Sequence, residues 1–145
     1  MLIKIADETD IENLYELNKL FENDASKEEM IEFMKLYNHE IICIAYEDDI
    51  AVGYCTGLIV KSICYKNPRL DIESLFVIDK YRKRGIGKLL IDYMEKEAMS
   101  KNIQHFHVIT NNLNIKAKKL YEKNGYKNTG EILLDKTLNW IIKYW

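Results

Sequence analysis

Proline is almost missing from this chain, with Pro68 alone among 145 residues, and glycine is held to six. A flexible or stiff spacer between domains needs one or the other. No linker, low-complexity tract or internal repeat is found, so residues 1–145 are expected to form a single domain. Cysteine is equally sparse. Cys43, Cys55 and Cys64 are odd in number, lie in strand-like runs and lack the paired spacing of a metal site or a redox motif, which leaves them as small core residues. No apolar run approaches the roughly eighteen residues of a membrane span, and MLIKIADETD lacks a charged leader followed by a long apolar core. No membrane partner and a cytoplasmic location are expected. An excess of one charge is absent too. With 21 basic and 23 acidic residues the formal charge is −2, which argues against nucleic acid as a principal partner.

What the chain does have is the balance of a globular protein able to bury a core, 48% apolar and 30% charged. Leu2 to Ala6 reads as a strand. Thr9-x-x-Glu12 and Ser26-x-x-Glu29 read as capping boxes, each before apolar residues at helical spacing (Ile11, Leu14, Tyr15, Leu17; Met30, Ile31, Phe33, Met34, Tyr37). Three strand-like runs follow, Ile41 to Tyr46, Ala51 to Val60 and Leu70 to Val77, and the short turns between them predict antiparallel pairing. Ile86, Leu89, Leu90, Tyr93 and Met94 form the stripe of a helix. A buried strand over His105 to Thr110, a helix over Ile115 to Asn124 and a last pair of strands over Tyr126 to about Leu138 complete the chain. The order is β-α-α-β-β-β-α-β-α-β-β, a mixed α/β (α+β) class with one central, mostly antiparallel sheet flanked by helices.

The densest signal is VIDKYRKRGIG, Val77 to Gly87, where a strand runs through a basic turn into a helix. The first amides of a helix have no intrahelical partner and sit at the positive end of its dipole, so they bind an anion directly. Arg82, Lys83, Arg84 and Lys88 add four positive charges within seven residues. The ligand expected is an anion, a diphosphate by preference. Two common phosphate fingerprints fail on residues. A P-loop needs Ser or Thr after Gly87-Lys88, where Leu89 stands, and a dinucleotide fold needs a third glycine where Leu90 stands.

Arg82-x-x-Gly85-x-Gly87 after a strand ending at Val77 resembles the coenzyme A pyrophosphate loop of the GNAT superfamily of acyl-coenzyme A-dependent N-acyltransferases. A second block resembles the same superfamily: Asn114-x-x-Ala117-x-x-Leu120-Tyr121-Glu122-Lys123-x-Gly125-Tyr126, its coenzyme-binding asparagine and helix. Together the blocks cover about Leu70 to Thr129, while the N-terminal half agrees in element order alone. The resemblance implies acetyl-coenzyme A as cosubstrate, no metal, and direct acetyl transfer to a primary amine through a tetrahedral intermediate. It implies that amides near Arg84, Gly85, Ile86 and Gly87 hold the pyrophosphate with Arg82, Lys83 and Lys88 assisting, and that Asn114 caps its helix, binds the coenzyme, or both. Arg84 stands where many members carry a small glycine.

Acyl transfer to an amine sets further demands. A lysine-like amine, with a pKa near ~10.4, arrives protonated and needs a base. Glu73 resembles the base of several members, with Asp71 in reserve; both lie on one strand face with Val77 if no bulge intervenes. The resemblance puts an oxyanion donor at the main-chain N–H around Val77, where the strand splays from its neighbour, and a general acid for the leaving thiolate at Tyr121. His105 and His107 share a strand side but are too few for a metal and read as a surface or core-edge pair. Glu22, Asp24, Glu28, Glu29 and Glu32 read as a solvated face that could also attract a cationic amine. Trp140 to Trp145 is too apolar for a free tail and is expected to pack on the sheet or a second subunit, which allows a homodimer. The acceptor is expected to be a small cationic amine, polyamine or aminoglycoside-like. A protein or peptide N-acetyltransferase, a non-catalytic acyl-coenzyme A sensor and an interaction domain stay open.

Overall fold

A computed structural model describes residues 1–138. Five strands, β1 (Leu2–Ile5), β2 (Glu40–Glu47), β3 (Ile50–Val60), β4 (Arg69–Val77) and β5 (Phe106–Val108), lie in the order β1-β2-β3-β4-β5. The first three pairings are antiparallel, and β4 pairs with β5 in parallel. Helices α1 (Ile11–Leu20) and α2 (Lys27–Leu36) cover one face, while α3 (Ile86–Ser100) packs on the other. The last helix, α4 (Ile115–Lys123), brings Leu120 and Tyr121 to that second face. Alternation along the central strands feeds two cores. Cys43, Ala45, Val52, Leu70 and Val77 pack with Ile86, Leu90 and Met94, while Ile44, Tyr54 and Phe76 pack with Leu14 and Leu17.

Several expectations change in detail. Ser26 and Glu29 cap α2 reciprocally as the spacing predicts, at 3.1 and 2.8 Å. Thr9 and Glu12 do not. Asp7 caps a short 3-10 turn at Glu8–Asp10 instead, because its carboxylate accepts the Thr9 amide at 2.8 Å and its own amide donates to Asp10 Oδ2 at 2.9 Å. Asp10 is almost fully buried, satisfied by Lys4 Nζ at 2.8 Å and the Tyr46 hydroxyl at 2.6 Å. In α3 the buried stripe is Ile86, Leu90, Ile91, Met94 and Ala98, while Leu89 is half-exposed, because the stripe rotates toward Ile91. The fifth strand is three residues long rather than six. The final strand pair is not formed over Tyr126 to Leu138: Ile132, Leu133 and Leu134 are consecutive rather than alternating and all are exposed, so no sheet face claims them. The expected packing of Trp140 to Trp145 lies outside the described residues.

Candidate active site

Strand β4 organises the site through one irregularity. Thr56 on β3 pairs with Ser74, whereas its neighbour Gly57 pairs with Ile72, so Glu73 is an extra residue in a β-bulge. The bulge reverses the alternation. Leu70 and Ile72 face α3 before it and Leu75 and Val77 face α3 after it, while Phe76 packs against α1. Glu73 and Val77 therefore do not share a face, contrary to the spacing: Glu73 lines a cleft on the α1–α2 side, and Val77 belongs to the opposite core. Asp71, the reserve base, is bound by Arg69 at 2.8 and 3.2 Å and does not line the cleft. His105 and His107 stand on one side as expected, their Nε2 atoms 3.1 Å apart, with His107 Nδ1 3.7 Å from Asp71.

The cleft has a volume of about 470 Å³ and mixed chemistry. Leu14, Met30, Phe33, Met34 and Ile42 form an apolar wall; Glu40, Thr56, Glu73 and Ser74 line the sheet side, with Asp24 and Glu29 also present. Of the five acidic residues read as a possible attractant, Asp24 and Glu29 reach it and Glu22, Glu28 and Glu32 do not. Glu40 is a residue sequence reasoning missed. It opens β2 two residues before Ile42, on the same face, and burial followed by the charge of Glu73 holds its carboxyl above the usual range despite the opposing Thr56 side chain. Its place just before an apolar run was the available signal. Tyr54, also at the cleft, is pushed up to about 12 by burial; its hydroxyl donates to Asn18 Oδ1 at 2.8 Å and accepts from Asn23 at 3.0 Å, tying down the α1–α2 loop.

On the other side β4 and β5 part company. Their pairing ends at Ile72 and Val108, and β4 continues alone for five residues on that edge. Ile78 N donates to Val52 O at 2.9 Å, so Gly53 and Val77 form a non-hydrogen-bonded pair and the Val77 amide points away from β3 into the gap. Gly53 permits this close approach: a Cβ there would come within 2.6 Å of Phe76 O. Arg82 Nε donates to Val77 O at 2.8 Å, and its Nη1 meets Asp79 at 2.8 Å. Arg82 thus braces the turn rather than extending from it.

The turn ends on Gly85, whose φ of 80° falls in the left-handed region that favours glycine. Lys83 also takes a positive φ, 62°, whereas Arg84 does not, so Arg84 in place of a glycine is accommodated without strain. No side chain caps α3, and the Ile86, Gly87 and Lys88 amides stand open before Leu89 N closes on Gly85 O at 3.0 Å. Arg84 grips Glu47 through two bonds of 2.9 and 2.7 Å, and Lys88 meets Asp92 at 2.6 Å. A Cβ on Gly87 would sit 3.2 Å from Leu120, so Gly87 also lets α3 and α4 pack closely.

Two α4 residues complete the picture. Asn114 caps α4, its Oδ1 accepting the Ala117 amide at 3.1 Å, which leaves Nδ2 as a donor. Tyr121 is buried in the α3-side core, to which Val77 also belongs, and lies edge-on to Tyr126, ring centres 5.7 Å apart. Burial, with a smaller contribution from Cys55, pushes its phenol up to about 12. No protein hydrogen bond uses its hydroxyl among the described residues. Nor do three or more His, Cys, Asp or Glu gather there to hold a metal ion, and no described helix is long and apolar enough to cross a membrane.

The acetyltransferase (GNAT) family model matches residues 10–126, and the chain belongs to that family. It is an acetyl-coenzyme A-dependent N-acetyltransferase. An aminoglycoside N(6')-acetyltransferase type 1 of Salmonella typhimurium is 24% identical over 99 residues, 66% of this chain and 68% of its own. The structure of AAC(6')-Iy with the bisubstrate analogue CoA-S-monomethyl-acetylneamine superposes with a TM-score of 0.81 at 20% identity, covering 95% of this chain and 98% of that one. The aminoglycoside antibiotic 6'-N-acetyltransferase AAC(6')-Ih of Acinetobacter baumannii gives 0.79 at 20% identity, over 96% and 99%. At these identities the likeness to solved structures is one of fold.

Proposed function

We propose that the enzyme moves an acetyl group from acetyl-coenzyme A to a small cationic amine, polyamine or aminoglycoside-like, by direct attack without a covalent enzyme intermediate. The single observation behind this reading is the course of β4, which carries Glu73 into an acidic cleft on one face and the Val77 amide into the open gap beside α3. The open amides of Ile86 to Lys88 receive the pyrophosphate, the pantetheine arm runs along the unpaired edge of β4, and Asn114 Nδ2 supplies a further donor to the coenzyme. The acceptor's ammonium loses its proton to Glu73, directly or through water, and the amine nitrogen attacks the thioester carbon. The carbonyl oxygen takes up negative charge against the Val77 N–H. As the C–S bond breaks, Tyr121 donates a hydrogen bond to the departing sulfur. A phenol at about 12 is a weaker acid than a thiol near ~8.5, so Tyr121 steadies the thiolate by its hydrogen bond, and the proton that completes the thiol comes from the nitrogen of the tetrahedral intermediate, which must lose it to become the amide.

Thiol release from acetyl-coenzyme A, assayed across polyamines, aminoglycosides, amino acids and short peptides, tests the reading. Release with one small-amine class, falling sharply in Tyr121→Phe, supports it. Release with peptides alone would replace the acceptor, and coenzyme binding without release would favour a sensor.

A further inference from the structure

Several carboxylates on this protein have cations of their own. Asp10 meets Lys4 at 2.8 Å, Glu47 meets Arg84 at 2.7 Å, Asp71 meets Arg69 at 2.8 Å and Asp92 meets Lys88 at 2.6 Å. The two carboxylates on the sheet side of the cleft differ. Neither Glu40 nor Glu73 forms a salt bridge among the described residues, although they lie near enough for the charge of one to act on the other. A half-buried carboxylate beside a like charge is costly unless a cation arrives to meet it. The opposite wall is apolar. Helix α2 buries no residue fully, so the sides of Met30, Phe33 and Met34 that would be core in a closed layer remain as cleft surface.

We propose that the acceptor is a linear alkyl amine with a second cationic nitrogen, and that Glu40 is the specificity-determining residue that meets this second charge. The inference rests on the acetyl-transfer reading above and selects within it. Glu73, in the β4 bulge next to the gap, faces the reacting nitrogen. Glu40 lies two strands away, about 10 Å between strand axes, and engages the far nitrogen while the methylenes between them lie on Met30, Phe33 and Met34. Methionine adapts to a flexible chain, as a rigid polar wall would not. A polyhydroxylated ring system would leave its hydroxyls unpaired against this wall.

The experiment compares kcat/KM for putrescine and cadaverine, the monoamines butylamine and pentylamine, spermidine, and the aminoglycosides neamine and sisomicin, in the wild type, Glu40→Gln and Glu32→Gln. The diamines are expected to exceed monoamines of equal length by about tenfold or more, and to exceed the aminoglycosides. In Glu40→Gln that advantage collapses through KM with little change in kcat, whereas Glu32→Gln, outside the cleft, retains it. Preference for neamine or sisomicin would overturn the inference while leaving acetyl transfer to an amine intact. A Glu40→Gln effect equal on diamines and monoamines would do the same. Thiol release with no amine at all would overturn both.

Discussion

The turn before α3 and the cleft beneath α2 both concentrate charge, yet they treat it in opposite ways. At the turn, Arg82, Arg84 and Lys88 are each engaged by a protein oxygen, from Val77 and Asp79, Glu47 and Asp92 respectively. These cations hold the loop in shape, and the open helix amides are left to meet an anion. In the cleft, Glu40 and Glu73 have no protein cation among the described residues, and the charge waits on the ligand. A site that always binds the same cosubstrate can be built rigid from internal pairs. A site that must choose an acceptor keeps its charges uncommitted, at some cost in stability.

The largest effect is expected at the proposed donor to the departing sulfur. Tyr121→Phe should lower kcat by about 100-fold or more while leaving Tm nearly unchanged, because no protein partner loses a hydrogen bond; a fall in Tm matching the fall in rate would make Tyr121 structural. Paired and unpaired carboxylates should then part in sign. Asp10→Asn is expected to destabilise by roughly 2–3 kcal/mol, because a buried carboxylate bound by Lys4, Tyr46 and the Asp7 amide loses its charge, read by urea unfolding. Burial alone would raise the Asp10 carboxyl, but bonds from Lys4, Tyr46 and the Asp7 amide outweigh it and hold it below the usual range. Its contribution is therefore complete above the unfolded pKa near ~3.9 and is lost as pH falls through the lower folded value.

Smaller changes sharpen the contrast. Gly85→Ala puts a Cβ in the left-handed region and should cost about 1–2 kcal/mol, with KM for acetyl-coenzyme A raised and KM for the amine unmoved. Glu47→Gln frees Arg84 at an exposed pair and should cost below about 1 kcal/mol, with a few-fold rise in the same KM; a lowered KM would mean that Arg84 binds the coenzyme better unpaired. Glu40→Gln is expected to stabilise, by about 0.5 kcal/mol. Because the folded carboxyl is held high, wild-type stability from this group falls as pH rises above the unfolded value near ~4.3. The melting-temperature advantage of the variant should grow from pH 4 toward neutrality.

Much of this was legible in order along the chain. The Ser26-Glu29 cap, the strand runs and the glycine turn express local rules, since a cap spans three residues and a strand period two. The start of α1 was misread because Asp7, Thr9 and Glu12 all suit a cap, and the choice fell to Asp10, which tertiary contacts with Lys4 and Tyr46 bury. The β4 bulge was invisible because a single extra residue leaves composition untouched while reversing the side chains beyond it. Glu40 went unread for a related reason, as the Thr56 and Glu73 side chains that act on it come from other strands.

The sequence by itself determined the element order as far as α4, the glycine turn that opens α3 and the two blocks that mark the family, because each depends on residues within a turn or two of one another. Tertiary structure alone decided which carboxylates are paired and which face of β4 each side chain takes. It also decided that α2 would roof a cleft rather than close a core. Those properties depend on strand register and on charges brought together from distant positions, which no local pattern encodes.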